Sequence, residues 1–215
     1  MEFLQTLWEY LLHMDVHLEQ IIDNIGIFAY LAMGFVVFAE TAFVVTVFLP
    51  SDAVLFAACA LASVNNSLNF PLLLVVFAVA AALGDSVNFC IGRKLRNAVN
   101  NNQKILFIKS SNLEKATLML ERTKGTAVVI GRFVPLLRSL APFVTGTSDK
   151  SYYWFIKHNA IGVVIWSVLY CCIGYFFGNI PFVKDYFGTI VLGFSALTIL
   201  TAIISALISK FVLKK

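Results

Sequence analysis

Gly131-Arg132-Phe133-Val134-Pro135-Leu136-Leu137-Arg138 lies inside an apolar run, residues 126 to 147, that also holds Pro142. Two arginines in hydrocarbon-like sequence, with a proline between them, cannot belong to an ordinary lipid-facing helix. Arg132 and Arg138 are six residues apart, about 600° along a regular helix, so an unbroken helix would turn them about 120° away from each other. Pro135 removes an amide donor and the backbone bond it would make, and Pro142 limits the run further, so local unwinding is expected to turn both guanidiniums to one cavity.

A similar interruption occurs earlier in the chain. Residues 25 to 49 are apolar and long enough to cross a bilayer, but they contain Glu40 and end at Leu49-Pro50-Ser51-Asp52. The apolar stretch 53 to 64 that follows is too short to span. A long run broken at proline and followed by a short one reads as a re-entrant hairpin or a discontinuous helix. Residues 70 to 92 then form a full span, ending at Ile91-Gly92-Arg93, and spans at about 155 to 178 and 186 to 210 follow the second broken element.

Composition gives the surroundings. Of 215 residues, 60% are hydrophobic and 13% charged, too little polar surface to cover a soluble domain, so the outer face is expected to meet lipid. No Lys or Arg precedes Arg93, whereas Arg93 to Lys124 carries eight basic residues against Glu114 and Glu121. The positive-inside rule places that linker in the cytoplasm, with the tail bearing Lys210, Lys214 and Lys215. A basic stretch beside a membrane span is explained by topology and anionic lipid, and no nucleic-acid partner is expected. Residues 1 to 24 interleave acids with apolar residues at near-helical spacing, as an amphipathic helix in the interface does. They have neither the basic start nor the cleavage site of a signal peptide.

The expected fold is therefore an all-α polytopic membrane protein with an inverted repeat, each half a re-entrant or broken helix pair followed by transmembrane helices. Residues 25 to 210 form one transport domain: repeat one at 25–92, the basic cytoplasmic linker at 93–125, repeat two at 126–180 and a final span at 186–210. If residues 25 to 49 crossed fully instead, the N-terminus would change sides. Oligomeric state is left open, with a homo-oligomer compatible.

Four ionisable side chains within apolar segments represent roughly 10 kcal/mol on insertion scales unless paired or wetted. Glu40, Asp52, Arg132 and Arg138 are thus expected to share one polar site between the halves. Arginine at both basic positions favours a planar anion such as phosphate or carboxylate, which its fork holds with two parallel bonds. Glu40 and Asp52 have no histidine near them, His13, His17 and His158 being scattered. They read as proton sites and not as metal ligands. A carboxyl between burial and a neighbouring arginine can gain or lose a proton when the site opens. Asp52 also suits a helix N-cap after Pro50. Asp85, in Gly84-Asp85-Ser86-Val87-Asn88, either joins the polar interior or organises the cytoplasmic end through Arg93 or Asn88. Asn159, Trp166 and the Gly174 to Gly178 pair read first as packing residues. Cys59, Cys90, Cys171 and Cys172 lie in apolar segments without zinc-site spacing and are expected to be buried thiols.

Several of these segments resemble one family. Phe38-Ala39-Glu40, Phe48 to Asp52, Gly84-Asp85 to Gly92-Arg93, Gly131 to Arg138, and Asn159 through Trp166 to Gly174-Tyr175 and Gly178 together resemble the DedA family, within the wider VTT, or SNARE-associated, superfamily. The likeness covers about residues 25 to 180, and Ser51 stands where many relatives have Gly. It implies a bacterial cytoplasmic-membrane transporter with opposed re-entrant elements, which moves undecaprenyl phosphate across the membrane in step with the proton-motive force. By that resemblance Arg132 and Arg138 hold the lipid phosphate and Glu40 and Asp52 carry or gate protons. Pro50, Ser51, Asp85, Arg93, Gly131, Pro135 and Asn159 support them. No cofactor is implied. The residues alone leave open a proton-coupled exporter of small ions or cationic drugs, or an assembly protein whose charges only lock helices. With no nucleophile–base arrangement visible, an enzyme is not expected.

Overall fold

The computed structural model describes residues 25–43, 46, 49, 51–64, 68–100, 123, 125–181, and 183, 186, 189, 190, 193, 196 and 200. The expected interfacial helix at 1–24, Pro50, most of the basic linker and most of the final span lie outside the described residues. Among these, every regular element is helical: α1 Ile27–Ala42, α2 Ser51–Val64, α3 Phe70–Asn100, α4 Thr126–Ile130, a 3₁₀ turn Gly131–Phe133, α5 Pro135–Thr147 and α6 Tyr152–Gly178.

The first hairpin is closed by side chains where the backbone cannot close it. Helix α1 ends at Phe43, whose extended backbone (φ −123°, ψ 129°) leaves the last carbonyls without helical donors. The Thr46 hydroxyl donates to Ala39 O (2.6 Å) and Phe43 O (2.8 Å). At the start of α2 the Ser51 amide donates to Glu40 Oε2 at 3.1 Å. A carboxylate from α1 thus caps the positive end of α2.

The second broken element parts just before its proline. Val134 is extended (φ −112°, ψ 115°), as a residue before proline prefers, and Pro135 begins α5 where a missing amide costs nothing. Pro142 does not interrupt the segment: it sits inside α5, contrary to the expectation that both prolines would break it. Helix α3 also runs further than expected, past Gly92 and Arg93 to Asn100. Gly92 is there for contact, not termination, because a Cβ on it would collide with the Phe143 carbonyl of α5. Helix α6 starts at a cap in which Ser151 Oγ accepts the Trp154 amide (3.2 Å).

Each half leans on the other. Helix α1 packs on α3 and α4 on α6, while α5 packs on α3 and α2 on α6. The two cross-half contacts are built alike. Gly174 and Gly178 of α6 admit the backbone of α2, a Cβ on them falling 2.6 Å from Phe56 O and from Ala60 Cα. Gly92 of α3 meets Phe143 O and Gly146 of α5 meets Phe89 O in the same way. Small residues permit this approach where lipid supplies no hydrophobic drive. The outward faces stay apolar, with Phe28 and Phe35 of α1 and Phe176 of α6 about two-thirds exposed (67%, 66% and 69%), a surface suited to hydrocarbon.

The cysteines divide. Cys59 and Cys171 are buried, but Cys172 is only half-buried and Cys90 is exposed, correcting the expectation of four buried thiols. On a helix whose lipid face is as apolar as its core face, an apolar setting does not tell inside from outside.

Candidate functional site

The charged side chains inside this apolar framework gather from α1, α2, α3, the 3₁₀ turn and α5, with Asn159 and Trp166 of α6 beside them. Arg138, on the second turn of α5, donates through Nη2 to Glu40 Oε1 (2.6 Å) and through Nη1 to Asp52 Oδ1 (2.8 Å). Its Nη2 also reaches Ser51 Oγ at 2.5 Å. Arg138, Glu40 and Ser51 are almost wholly buried, while the Asp52 side chain retains 16% of its surface. Asp52 is therefore the member of this cluster closest to the outside.

Arg132 has different partners. From the 3₁₀ turn its Nη1 donates to Asp85 Oδ2 (2.5 Å) and Asn159 Oδ1 (3.1 Å). The expectation of a single site is thus modified: Glu40 and Asp52 belong to Arg138, and Arg132 belongs to Asp85. Of the two roles left open for Asp85, its position selects the polar interior. Trp166 joins the two groups, its ring 5.3 Å from Arg132 Cζ and 5.0 Å from Arg138 Cζ, and its Nε1 donating to Asp52 Oδ1 at 3.2 Å. Both separations lie within the range of a cation–π attraction. Gly131 and Pro135 lie in the backbone break from which both Arg132 and Arg138 reach the indole.

Arg93 lies elsewhere. Its guanidinium donates to Ser148 O (2.8 Å) and to Lys150 O, where α5 ends, and covers the Phe89 ring. It fastens α3 to the turn between α5 and α6, so its expected support for the site is structural and remote.

Sequence reasoning missed two groups. Trp166, expected only to pack, stands seven residues after Asn159, two turns along one face of α6, a spacing that places both toward one site. Asn88, one turn after Asp85, donates from Nδ2 to Thr41 O (3.1 Å) and Ser139 O (2.8 Å), tying the end of α1 to α5. No group of His, Cys, Asp and Glu among the described residues is arranged to hold a metal ion.

Chemically, the site offers two planar cations, three carboxylates and an aromatic surface, nearly closed to water. Such a constellation can bind an oxyanion, exchange a proton, or both. Comparison with known proteins adds to this. The VTT domain family model matches residues 49–176. Protein DedA of Escherichia coli (strain K12) is 38% identical over 205 residues, 95% of this chain and 94% of its own. Inner membrane protein YghB of Salmonella typhimurium is 29% identical over 72% of this chain and 70% of its own, and inner membrane protein YqjA of E. coli (strain K12) 25% identical over 73% and 71%. No solved structure matches.

Proposed function

The chain belongs to the DedA family of VTT-domain membrane proteins, and from that premise we propose that it moves a phosphate-headed lipid, undecaprenyl phosphate or a close analogue, across the bacterial inner membrane with the help of protons. In this reading it is a transporter and not an enzyme. Arg132 and Arg138 supply the positive charge for the headgroup, and Glu40 and Asp52 carry the proton. The observation that carries the reading is the pair of buried guanidiniums within about 5 Å of the Trp166 ring, ion-paired with three carboxylates. Buried charges this costly are retained where they bind or move something.

The architecture supports the same reading. The exchange of short helices between halves, α2 onto α6 and α5 onto α3, is what an inverted repeat of two re-entrant hairpins requires, with the site at the repeat interface. The basic linker and tail on the cytoplasmic side then fix a multi-pass orientation. An apolar cavity of about 190 Å³ lies between α4 and α5, lined by Ile130, Gly131, Val134 and Leu137. It gives a stretch of hydrocarbon chain a place beside the hairpin that holds both arginines.

The test is transfer of undecaprenyl phosphate between leaflets of liposomes holding the purified chain. Removing one partner of a buried pair costs about 3–5 kcal/mol, so alanine variants alone would confuse misfolding with lost function. The Arg132→Lys, Arg138→Lys double variant keeps both charges and loses both forks. We expect it to remain folded with transfer reduced at least tenfold, and Arg132→Ala, Arg138→Ala to abolish transfer. Wild-type rates in both would end the proposal. A second reading, a proton-coupled exporter of small cations, is favoured by the excess of carboxylates over arginines. It predicts cation flux driven by a pH gradient at fixed lipid composition.

A further inference from the structure

Among the described residues, the buried side-chain polar atoms without a hydrogen-bond partner all fall within this one site: Arg132 Nε and Nη2, Arg138 Nε, Asn159 Nδ2, Ser139 Oγ, Asp85 Oδ1 and Asn88 Oδ1. Their distribution is uneven. Both terminal nitrogens of Arg138 are engaged by Glu40, Asp52 and Ser51, leaving only Nε. Arg132 uses Nη1 for both of its partners. Its Nε and Nη2 together form the side-on edge of the guanidinium, the edge that takes two oxygens of one oxyanion in parallel.

Buried donors left unmade cost free energy and are rare in native proteins. Two on one edge, beside a third on a side chain bonded to the same guanidinium, mark a place kept for an acceptor. We propose that the anion is gripped by the Nε–Nη2 edge of Arg132 together with Asn159 Nδ2, and that Arg138 does not touch it. Arg138 is then a positioning residue, holding Glu40 and Asp52. Asp85 fixes the guanidinium from its Nη1 side, so the anion meets a cation already oriented. The edge is enclosed here, and an anion meets it only when the hairpins part. This inference rests on the anion-transport reading above and specifies its contact residues. The chemistry recognised is a phosphate group with two free oxygens in one plane, whether on a lipid or as inorganic phosphate.

Asn159→Asp separates a binding role from a structural one. It keeps the Oδ1 that accepts from Arg132 Nη1, and replaces the unpartnered donor with an anionic oxygen that would itself pair with Arg132. The added carboxylate also brings a buried negative charge, so the neutral Asn159→Ala, which removes the donor without adding charge, is measured beside it: a merely structural asparagine would lower the melting temperature in both variants and leave the affinity of Asn159→Ala at the wild-type value. Binding to the full-length chain is measured by native mass spectrometry with undecaprenyl phosphate, with undecaprenol, and with inorganic phosphate. We expect wild type to prefer undecaprenyl phosphate to undecaprenol, Asn159→Asp to lose about a hundredfold in that affinity, and Arg132→Lys, which gives up the Nε–Nη2 edge, to lose at least about tenfold more than Arg138→Lys does. If inorganic phosphate competes, the phosphate alone is recognised; if it does not, the site takes the phosphate only on a lipid. Either result fits the contact assignment. Wild-type affinity in Asn159→Asp, or a loss in Arg138→Lys as large as that in Arg132→Lys, would overturn it while leaving lipid-phosphate transport standing. Equal binding of undecaprenol and undecaprenyl phosphate by wild type would remove the transport reading and the assignment with it.

Discussion

Trp166 is an uncharged side chain that touches both charged groups. Its ring lies 5.3 and 5.0 Å from the two guanidinium carbons and its Nε1 donates to Asp52. In a site this dry each cation–π contact contributes up to about 2 kcal/mol, comparable to a charge-assisted hydrogen bond. The two functions of the indole can be separated. Trp166→Phe keeps an aromatic face and removes the donor to Asp52, whereas Trp166→Leu removes both. We expect the Phe variant to alter the pH profile of lipid transfer with KM changed less than about threefold, and the Leu variant to raise KM about tenfold as well. Steady-state transfer across a pH series measures both. A Leu variant with wild-type KM and pH profile would reduce Trp166 to a spacer. The indole was hard to read from sequence for a simple reason: an aromatic residue in an apolar helix looks the same whether it faces lipid, a neighbouring helix or a guanidinium.

At the scale of elements, the site depends on how closely the helices approach. Gly84 of α3 lies under the last turn of α1, where an added Cβ would fall on Thr41 Oγ1 and 2.7 Å from Phe38 O. Thr41 cannot yield easily, its hydroxyl being bonded to Val37 O (3.0 Å) and Phe38 O (3.1 Å). Gly84→Ala should therefore push α1 from α3 and draw Glu40, the residue before Thr41, away from Arg138. Overpacking of this kind costs about 1–3 kcal/mol. The expected result is a lower melting temperature in detergent together with slower transfer. Gly193→Ala, with nothing within 4 Å of the added Cβ, should change neither. The broken elements themselves were legible in the sequence, because Glu40, Asp52, Arg132 and Arg138 are conspicuous in apolar runs and prolines stand beside them. Their limits were less so. Gly92-Arg93 has the look of a helix end, yet the glycine serves contact with α5 and α3 continues into the basic stretch. Pro142 looks like a second break, but one missing amide is tolerated within α5. Which acid takes which arginine was not legible, since Asp85 and Glu40 are equally acidic on paper and only the crossing of α3, α5 and α1 decides between them.

For the whole molecule, the decisive quantity is the charge enclosed between the halves. Glu40 from α1, Asp52 from α2 and Asp85 from α3 face Arg132 and Arg138, so three negative and two positive charges leave the site at −1 when every group is ionised. Asn159, Trp166, Ser51, Asn88 and Ser139 line it without adding charge. An incoming phosphate would add further negative charge to a dry enclosure, where like charges repel strongly. One bound proton brings the site to neutrality first. Asp52 is the most open of the three carboxylates, so in the proposed reading the Glu40–Arg138–Asp52 triad is where a proton from outside would be taken up. The sign follows directly. If the proposed anion transport holds, protonation favours anion binding, and affinity for undecaprenyl phosphate is expected to rise as pH falls, by up to about tenfold per pH unit where one proton is linked. Glu40→Gln removes one carboxylate and leaves two negative charges against two positive, as if the proton were always present. That variant is expected to bind the lipid with little dependence on pH, and to transfer it in liposomes no faster with a pH gradient than without one, whereas wild type responds to the gradient. Asp52→Asn should flatten the profile in the same way if the proton is shared across the triad. A Glu40→Gln protein that kept the full wild-type slope would mean that the balancing proton is held outside the triad, and proton coupling would have to be sought in another part of the chain.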